Sequence, residues 1–235
     1  SEIFNYCAIN SYNLGYVAKI SNDGVWQWAQ RIGTGLDTIG NGITVSATDE
    51  IFVTGYYTLG DVYVYTGSYY TYSASDCVYF SDNCLIFQNH DGIERSGIFV
   101  AKIHSNGTWE WAQKAQSNTS TNTAGNDITS NENGLLIGGR AYDNTQFGNI
   151  NLSLNGIGQS FMASMSFDGE WLWVENSSSQ FYSSVFQTSI GPRGAFWAAG
   201  LANGPFCFSE VCFQETQNDF GYIVAVLEAD LDDDN

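Results

Sequence analysis

Three kinds of residue in this chain could do chemistry. Tryptophans come in pairs one residue apart, at Trp26/Trp28, Trp109/Trp111 and Trp171/Trp173. Exposed, such rings make platforms for sugars; buried, each is a large packing group. Five cysteines, Cys7, Cys77, Cys84, Cys207 and Cys212, could form disulfides, stay as buried thiols or hold a metal. Near the end, Asp230, Asp232 and Asp234 alternate in "EADLDDDN". That is the spacing at which calcium loops present oxygen ligands; the plain alternative is a solvated acidic tail.

The tryptophan pairs belong to a repeat. "GYVAKISNDGVWQWAQ" (Gly15 to Gln30) returns as "GIFVAKIHSNGTWEWAQ" (Gly97 to Gln113). Phe99 follows Tyr16 by 83 residues, Phe161 follows Phe99 by 62, and Ile223 follows Phe161 by 62. The turn glycine keeps step as Gly24, Gly107 and Gly169. A second block, "NGITVSATDEIFVTGYY" from Asn41, recurs as "NDITSNENGLLIGGRAY" from Asn126 and, more weakly, from Ser184. A variable segment follows each block. In the first copy it is longer and rich in tyrosine, reading as an added hairpin whose stretch Tyr63 to Tyr79 could form the lip of a binding face.

Each repeat reads as four or five short strands in about 62 residues. A β-helix coil is shorter, and helical repeats would show a 3.6 period. Frequent glycine (25) and scarce proline (2) suit short strands and tight turns. The reading is all-β: a β-propeller-like array of four-stranded repeats with three to four blades, a β-sandwich being the alternative. The domain is residues 1–229, with a partial blade 1–31 and blades at about 32–115, 116–177 and 178–229. Residues 230–235 are an acidic linker or the start of a calcium-type repeat. Because residues i and i+2 of a strand share a face, Trp26 and Trp28 are expected on one side, packed between blades.

The repeat resembles the SBBP-type β-propeller repeat of large secreted and cell-surface proteins. The resemblance is good over Gly15 to Gly55 and Gly97 to Gly139, and weaker from Phe161, where Ser164 replaces the lysine. It implies a propeller fold and an extracellular setting, and brings no catalytic motif. The terminal acidic run looks like the opening of a thrombospondin type-3 calcium repeat.

Short cysteine spacings suit local disulfides, Cys77 with Cys84 and Cys207 with Cys212, and so an oxidising compartment. Cys7 aligns with the second cysteine of a pair; its partner is expected upstream of Ser1 or in another molecule. Four glycosylation sequons occur, at Asn106, Asn118, Asn151 and Asn176.

With 25 acidic residues against 7 Lys plus Arg, the net charge is −18, which disfavours nucleic acid and anionic membranes. No run of about 18 apolar residues exists to span a membrane. The opening "SEIFNYCAIN" has neither Met nor a basic segment, so a removed leader or a longer parent chain is expected. His90 and His104 are the near-neutral titrating groups, and His104 falls on a hairpin turn. Asp23 and Asp168 are turn residues by repeat position, and neither a nucleophile elbow nor a phosphate loop is present. The expectation is a non-enzyme without a cofactor. It serves as a structural or adhesive extracellular module that contacts its own kind or neighbouring domains; a glycan-binding propeller is the alternative.

Overall fold

The computed structural model describes residues 13–33, 37–59, 61–65, 70–74, 77–81, 83–87, 95–117, 122–154, 157–191, 194–214 and 221–227. At 59, 61–65, 70–74, 77, 79, 83–87, 95 and 221–227 it describes the backbone alone. Among them there is no α-helix.

The strands run β1 (Gly15–Ile20), β2 (Trp26–Gly33), β3 (Thr38–Val45), β4 (Ile51–Leu59), β5 (Asp61–Tyr65), β6 (Tyr70–Ala74), β7 (Cys77–Phe80) and β8 (Asn83–Phe87). They continue as β9 (Arg95–Ile103), β10 (Trp109–Ser117), β11 (Ala124–Ser130), β12 (Leu135–Ala141), β13 (Asn144–Phe147) and β14 (Ile150–Ser153). The last are β15 (Gln159–Met165), β16 (Trp171–Ser179), β17 (Ser183–Ile190), β18 (Phe196–Ala202), β19 (Phe206–Phe208), β20 (Val211–Phe213) and β21 (Gly221–Leu227).

Four successive antiparallel sheets result, none closed: β1-β2-β7-β8, then β3-β4-β9-β10-β13-β14, then β11-β12-β15-β16-β19-β20, then β17-β18-β21. A separate hairpin pairs β5 with β6. Segments 32–115, 116–177 and 178–229 each begin a new sheet, and each also lends a hairpin to the sheet before. The hairpins β7–β8, β13–β14 and β19–β20 pair with β2, β10 and β16 respectively. The variable segments therefore cap the preceding sheet, so consecutive repeats are interlocked by backbone hydrogen bonds.

Local chemistry sets the turns. Gly24, Gly107 and Gly169 hold φ of 83°, 88° and 85°, the left-handed region that glycine enters without strain. Each amide donates to the carbonyl three residues earlier, closing the hairpin that leads into the tryptophans. In the cap hairpins the residue after the last phenylalanine is also left-handed: Ser81, Gly148 and Ser209.

Three cores lie between the sheets. The first joins Val17 and Ile32 of the first sheet to Val53, Phe99, Ala101, Ile103 and Trp109 of the second. The next joins Phe52, Ile98 and Val100 to Ile137, Phe161, Ala163, Met165 and Trp171. The last joins Leu136 and Met162 to Val185, Ala198 and Ala202. The forward face of one sheet thus packs on the backward face of the next, by the same positions each time.

The first strand of each complete repeat carries a one-residue bulge, at Asn41, Asn126 and Phe186. The bulge turns a carbonyl towards the second strand, where only glycine fits. A Cβ on Gly55, Gly139 or Gly200 would lie 1.9, 2.1 or 2.1 Å from the oxygen of Ile39, Ala124 or Ser184. Gly139→Ala is therefore expected to destabilise by about 1–3 kcal/mol, the usual range for overpacking, measured by urea unfolding. A neutral result would mean that the bulge relaxes freely.

Candidate functional site

The tryptophan pairs do not share a face. Trp109 faces Ile103 and Trp111 faces Lys102, so Glu110 between them is an extra residue without a partner across the ladder. The same slip falls at Gln27, with Trp26 on Ile20 and Trp28 on Lys19, and at Leu172, with Trp171 on Met165 and Trp173 on Ser164. This corrects the expectation from simple alternation. A one-residue bulge adds half a period, which sends the second ring to the opposite face.

Each pair thus serves two cores. Trp28 packs forward and Trp109 packs backward into the first core. Trp111 and Trp171 do the same in the second. Trp173 packs forward into the third. Each backward ring meets the phenylalanine of a cap hairpin edge-on: Trp109 with Phe80 and Trp171 with Phe147, both at 5.0 Å between centroids. Two of the forward rings, Trp28 and Trp111, slide under the turn glycine of the next repeat. A Cβ on Gly107 would come within 3.0 Å of Trp28, and one on Gly169 within 3.3 Å of Trp111. Trp26 is the exception, 68% exposed where Trp109 and Trp171 are 7% and 9%.

Sequence reasoning missed the ion cluster beside these rings. Lys102 Nζ, only 8% exposed, lies 2.7 Å from Glu50 Oε1 and 3.0 Å from Glu110 Oε2. Its charge also sits 5.9 Å from the Phe52 ring centroid. His104 Nε2 is 3.3 Å from Glu110 Oε2. The signal was available: Glu110 occupies the bulge, which points it to the lysine side. Burial opposes the Lys102 charge, but the hydrogen bonds and attraction of the two glutamates outweigh it and raise its pKa. The hydrogen bond from Lys102 lowers that of Glu50, against the effect of burial. In the first repeat Lys19 Nζ and Trp28 Nε1 instead both donate to the Ser105 carbonyl, at 3.2 and 3.0 Å.

A second set was also missed. The bulged Asn41 donates from Nδ2 to the Gly125 carbonyl at 2.8 Å, and Asn126 to Ser184 Oγ and the Val185 carbonyl at 2.9 and 2.6 Å. Asp127 Oδ2 accepts from the Thr188 amide at 2.7 Å. These bonds stitch β3 to β11 and β11 to β17.

Cys207 and Cys212 form a disulfide across β19–β20. Cys84 holds the slot of Cys212, but the slot of Cys207 in β7 belongs to Tyr79, which faces Cys84. Cys77 faces Phe87 two residues earlier, so the two hairpins are not copies at this point. The side chains of Cys77 and Cys84 lie outside the described structure, as do Cys7, His90, Asn118, Asp230, Asp232 and Asp234 entirely. Asn106 is exposed on its turn and its Oδ1 accepts from the Thr108 amide. Asn151 is exposed on β14. The Asn176 Nδ2 donates to Gln159 Oε1 and the Ser177 carbonyl, bonds that a glycan on that nitrogen would displace.

Among the described residues no group of three or more His, Cys, Asp or Glu could hold a metal ion. No helix of the described residues is long and apolar enough to cross a membrane. No known family model matches the chain, and no curated protein matches it.

Two outcomes follow. Trp171→Ala is expected to cost about 3–5 kcal/mol in urea unfolding, the range for deleting a buried ring, and Trp26→Ala within about 0.5 kcal/mol. Equal costs would contradict the opposed faces. Glu50 contributes fully above the ordinary glutamate value of 4.5, a contribution lost as pH falls through its lower folded value. Lys102 contributes below its ordinary 10.5, and this is lost as pH rises through its higher folded value. Lys102→Met should therefore flatten the acid limb of Tm against pH; an unchanged limb would assign that limb to other carboxylates.

Proposed function

We propose that this chain is a non-catalytic structural or adhesive module of a larger extracellular or cell-surface protein, built as a propeller-like array of sheets. One observation carries the reading: the recurring residues with chemistry to offer are consumed in holding sheet to sheet. Five of the six paired tryptophans, all but Trp26, pack in the cores, Lys102 is neutralised by two glutamates, and the bulged asparagines bond the next sheet.

The packing between sheets is wedge-shaped, which favours a radial arrangement over a β-sandwich. At the first and second strands it is thin. A Cβ on Gly42 would come within 2.8 Å of Asp127 Cα, and one on Gly138 within 2.6 Å of Val185 and Thr188. At the fourth strands it is filled by Trp and Phe rings. Sheets that touch at one edge and stand a ring apart at the other splay around an axis, as propeller blades do. The SBBP-type resemblance rests on the same tryptophans and turn glycines. The Cys207–Cys212 disulfide fits an oxidising compartment. The net charge of −18 argues against polyanionic partners.

A glycan-binding role is the second reading, favoured by the exposed rings of Tyr16 and Trp26 on one face. A broad saccharide array with the whole chain separates the two. No binding is expected; a saccharide retained by the chain and lost in Trp26→Ala would replace the structural reading with the lectin one.

A further inference from the structure

Among the described residues, the packing surface between sheets occurs once more than it is used. On the third strand and the bulge after it, Phe99, Ala101, Ile103 and Trp109 face backward and are buried. Phe161, Ala163, Met165 and Trp171 repeat this. Tyr16, Ala18, Ile20 and Trp26 hold the same positions on β1 and β2. Yet Tyr16 is 75% exposed and Ile20 48%. Ile43 and Val45 on β3 extend the apolar patch, both exposed.

The opposite end is complementary. Trp197 holds the forward position of Phe52 and Leu136; those are fully buried, whereas Trp197 is exposed, as is Phe186 at the third bulge. The third core gathers Trp173, Phe206 and Phe208 around a forward tryptophan and a cap phenylalanine, as Trp28 and Phe80 gather in the first. No backward tryptophan joins it among the described residues. In strand terms, the described first sheet holds the third and fourth strands of a repeat, and the fourth sheet holds the first, second and third. β21 is there the sequence counterpart of β1. Ala225 faces Ala198, as Ala101 faces Val53 and Ala163 faces Ile137, and Ala18 is the β1 member of the series.

We propose that the two ends fit each other in separate copies of this chain by strand exchange: β1–β2 of one copy replaces β21 along β18 of another, β21 giving up its ladder there, and Trp26 completes the core around Trp173 and Phe208. The occupant is a second copy because the contact continues the two packed interfaces already inside the molecule, residue for residue. It completes a four-stranded sheet from β17, β18 and the incoming β1 and β2. It covers Tyr16, Ile20 and Trp26 against the cap β19–β20, and Ile43 and Val45 against β17. The contact is heterologous, so it propagates head to tail rather than closing on a two-fold axis. Copies that each carry −18 repel one another, so added salt strengthens the assembly by screening. This inference rests on the structural reading above and names the partner.

The test uses two full-length single variants, Ala18→Cys and Ala198→Cys, mixed under mild oxidation. The expected result is a mixed disulfide-linked dimer well above the background that the native cysteines give in either variant alone. It is lost when Trp26→Ala is added to the Ala18→Cys chain, whose circular dichroism stays that of the parent. Sedimentation of the unmodified chain should show a concentration-dependent series beyond the dimer, favoured by salt. Three results overturn the proposal: a monomer at all concentrations with no mixed disulfide, a symmetric Ala18→Cys homodimer, or a cross-link that forms within single chains of the double variant. A positive saccharide array with the mixed disulfide intact would remove the structural reading but not the contact. A null array without the disulfide would do the reverse.

Discussion

One extra residue between two tryptophans organises this molecule. A strand alternates its side chains, so an uninterrupted Trp-x-Trp would place both rings in one core and leave the other face thin. The bulge at Gln27, Glu110 and Leu172 divides them, and β10 and β16 each then supply a ring to the core on either side. The first and second cores each receive one ring from each flanking sheet. At about 150–250 Å² buried per tryptophan and about 25 cal/mol per Å², each ring is worth roughly 4–6 kcal/mol as an upper estimate.

The bulge also explains the polar groups. Glu110 is the extra residue, and its freedom from the ladder lets it reach Lys102, which faces the large forward ring of Phe52. Burial alone would lower the pKa of a lysine so covered, and Glu50 and Glu110 outweigh that effect. The indole N–H groups of Trp109, Trp111 and Trp171 have no hydrogen-bond partner, whereas that of Trp28 finds the Ser105 carbonyl. Unpaired buried donors cost about 1–3 kcal/mol each, so the rings are held by area and edge-to-face contact rather than by hydrogen bonds. At the first strands the balance reverses. Gly42 and Gly125 leave no room for apolar bulk, and amides of Asn41 and Asn126 make the join.

The all-β class and the strand order within each repeat were legible in the sequence, because repetition reports the same environment several times. Copies of Val-Ala-Lys-Ile and of the turn glycine reappear as β1, β9 and β15 with their hairpins. Two things were not legible. A bulge is a backbone event at a residue whose type varies, glutamine, glutamate and leucine in turn, so alternation misassigned the rings. The pairing partner of a variable hairpin is non-local, so β7–β8, β13–β14 and β19–β20 read as additions to their own repeat although they bond to the one before. Spacing proposes a cysteine pair in each hairpin; register puts Cys207 directly opposite Cys212, while the side chains of Cys77 and Cys84 lie outside the described residues.

A stacked array raises a physical problem at its ends that no amount of internal packing solves. Each repeat is selected to bury one face on its predecessor and one on its successor, so the outermost faces carry residues fitted for burial. Ring-closed arrays abolish such ends; open ones must blunt, cap or use them. Here Tyr16, Ile20 and Trp26 stand exposed with no described sheet over them and no charge in their place, although the chain carries 25 acidic residues. Natural sequences rarely leave a contiguous aromatic face open without a use for it. The acidic surface elsewhere suppresses indiscriminate contact, and it leaves geometry, rather than stickiness, to decide what the open face accepts.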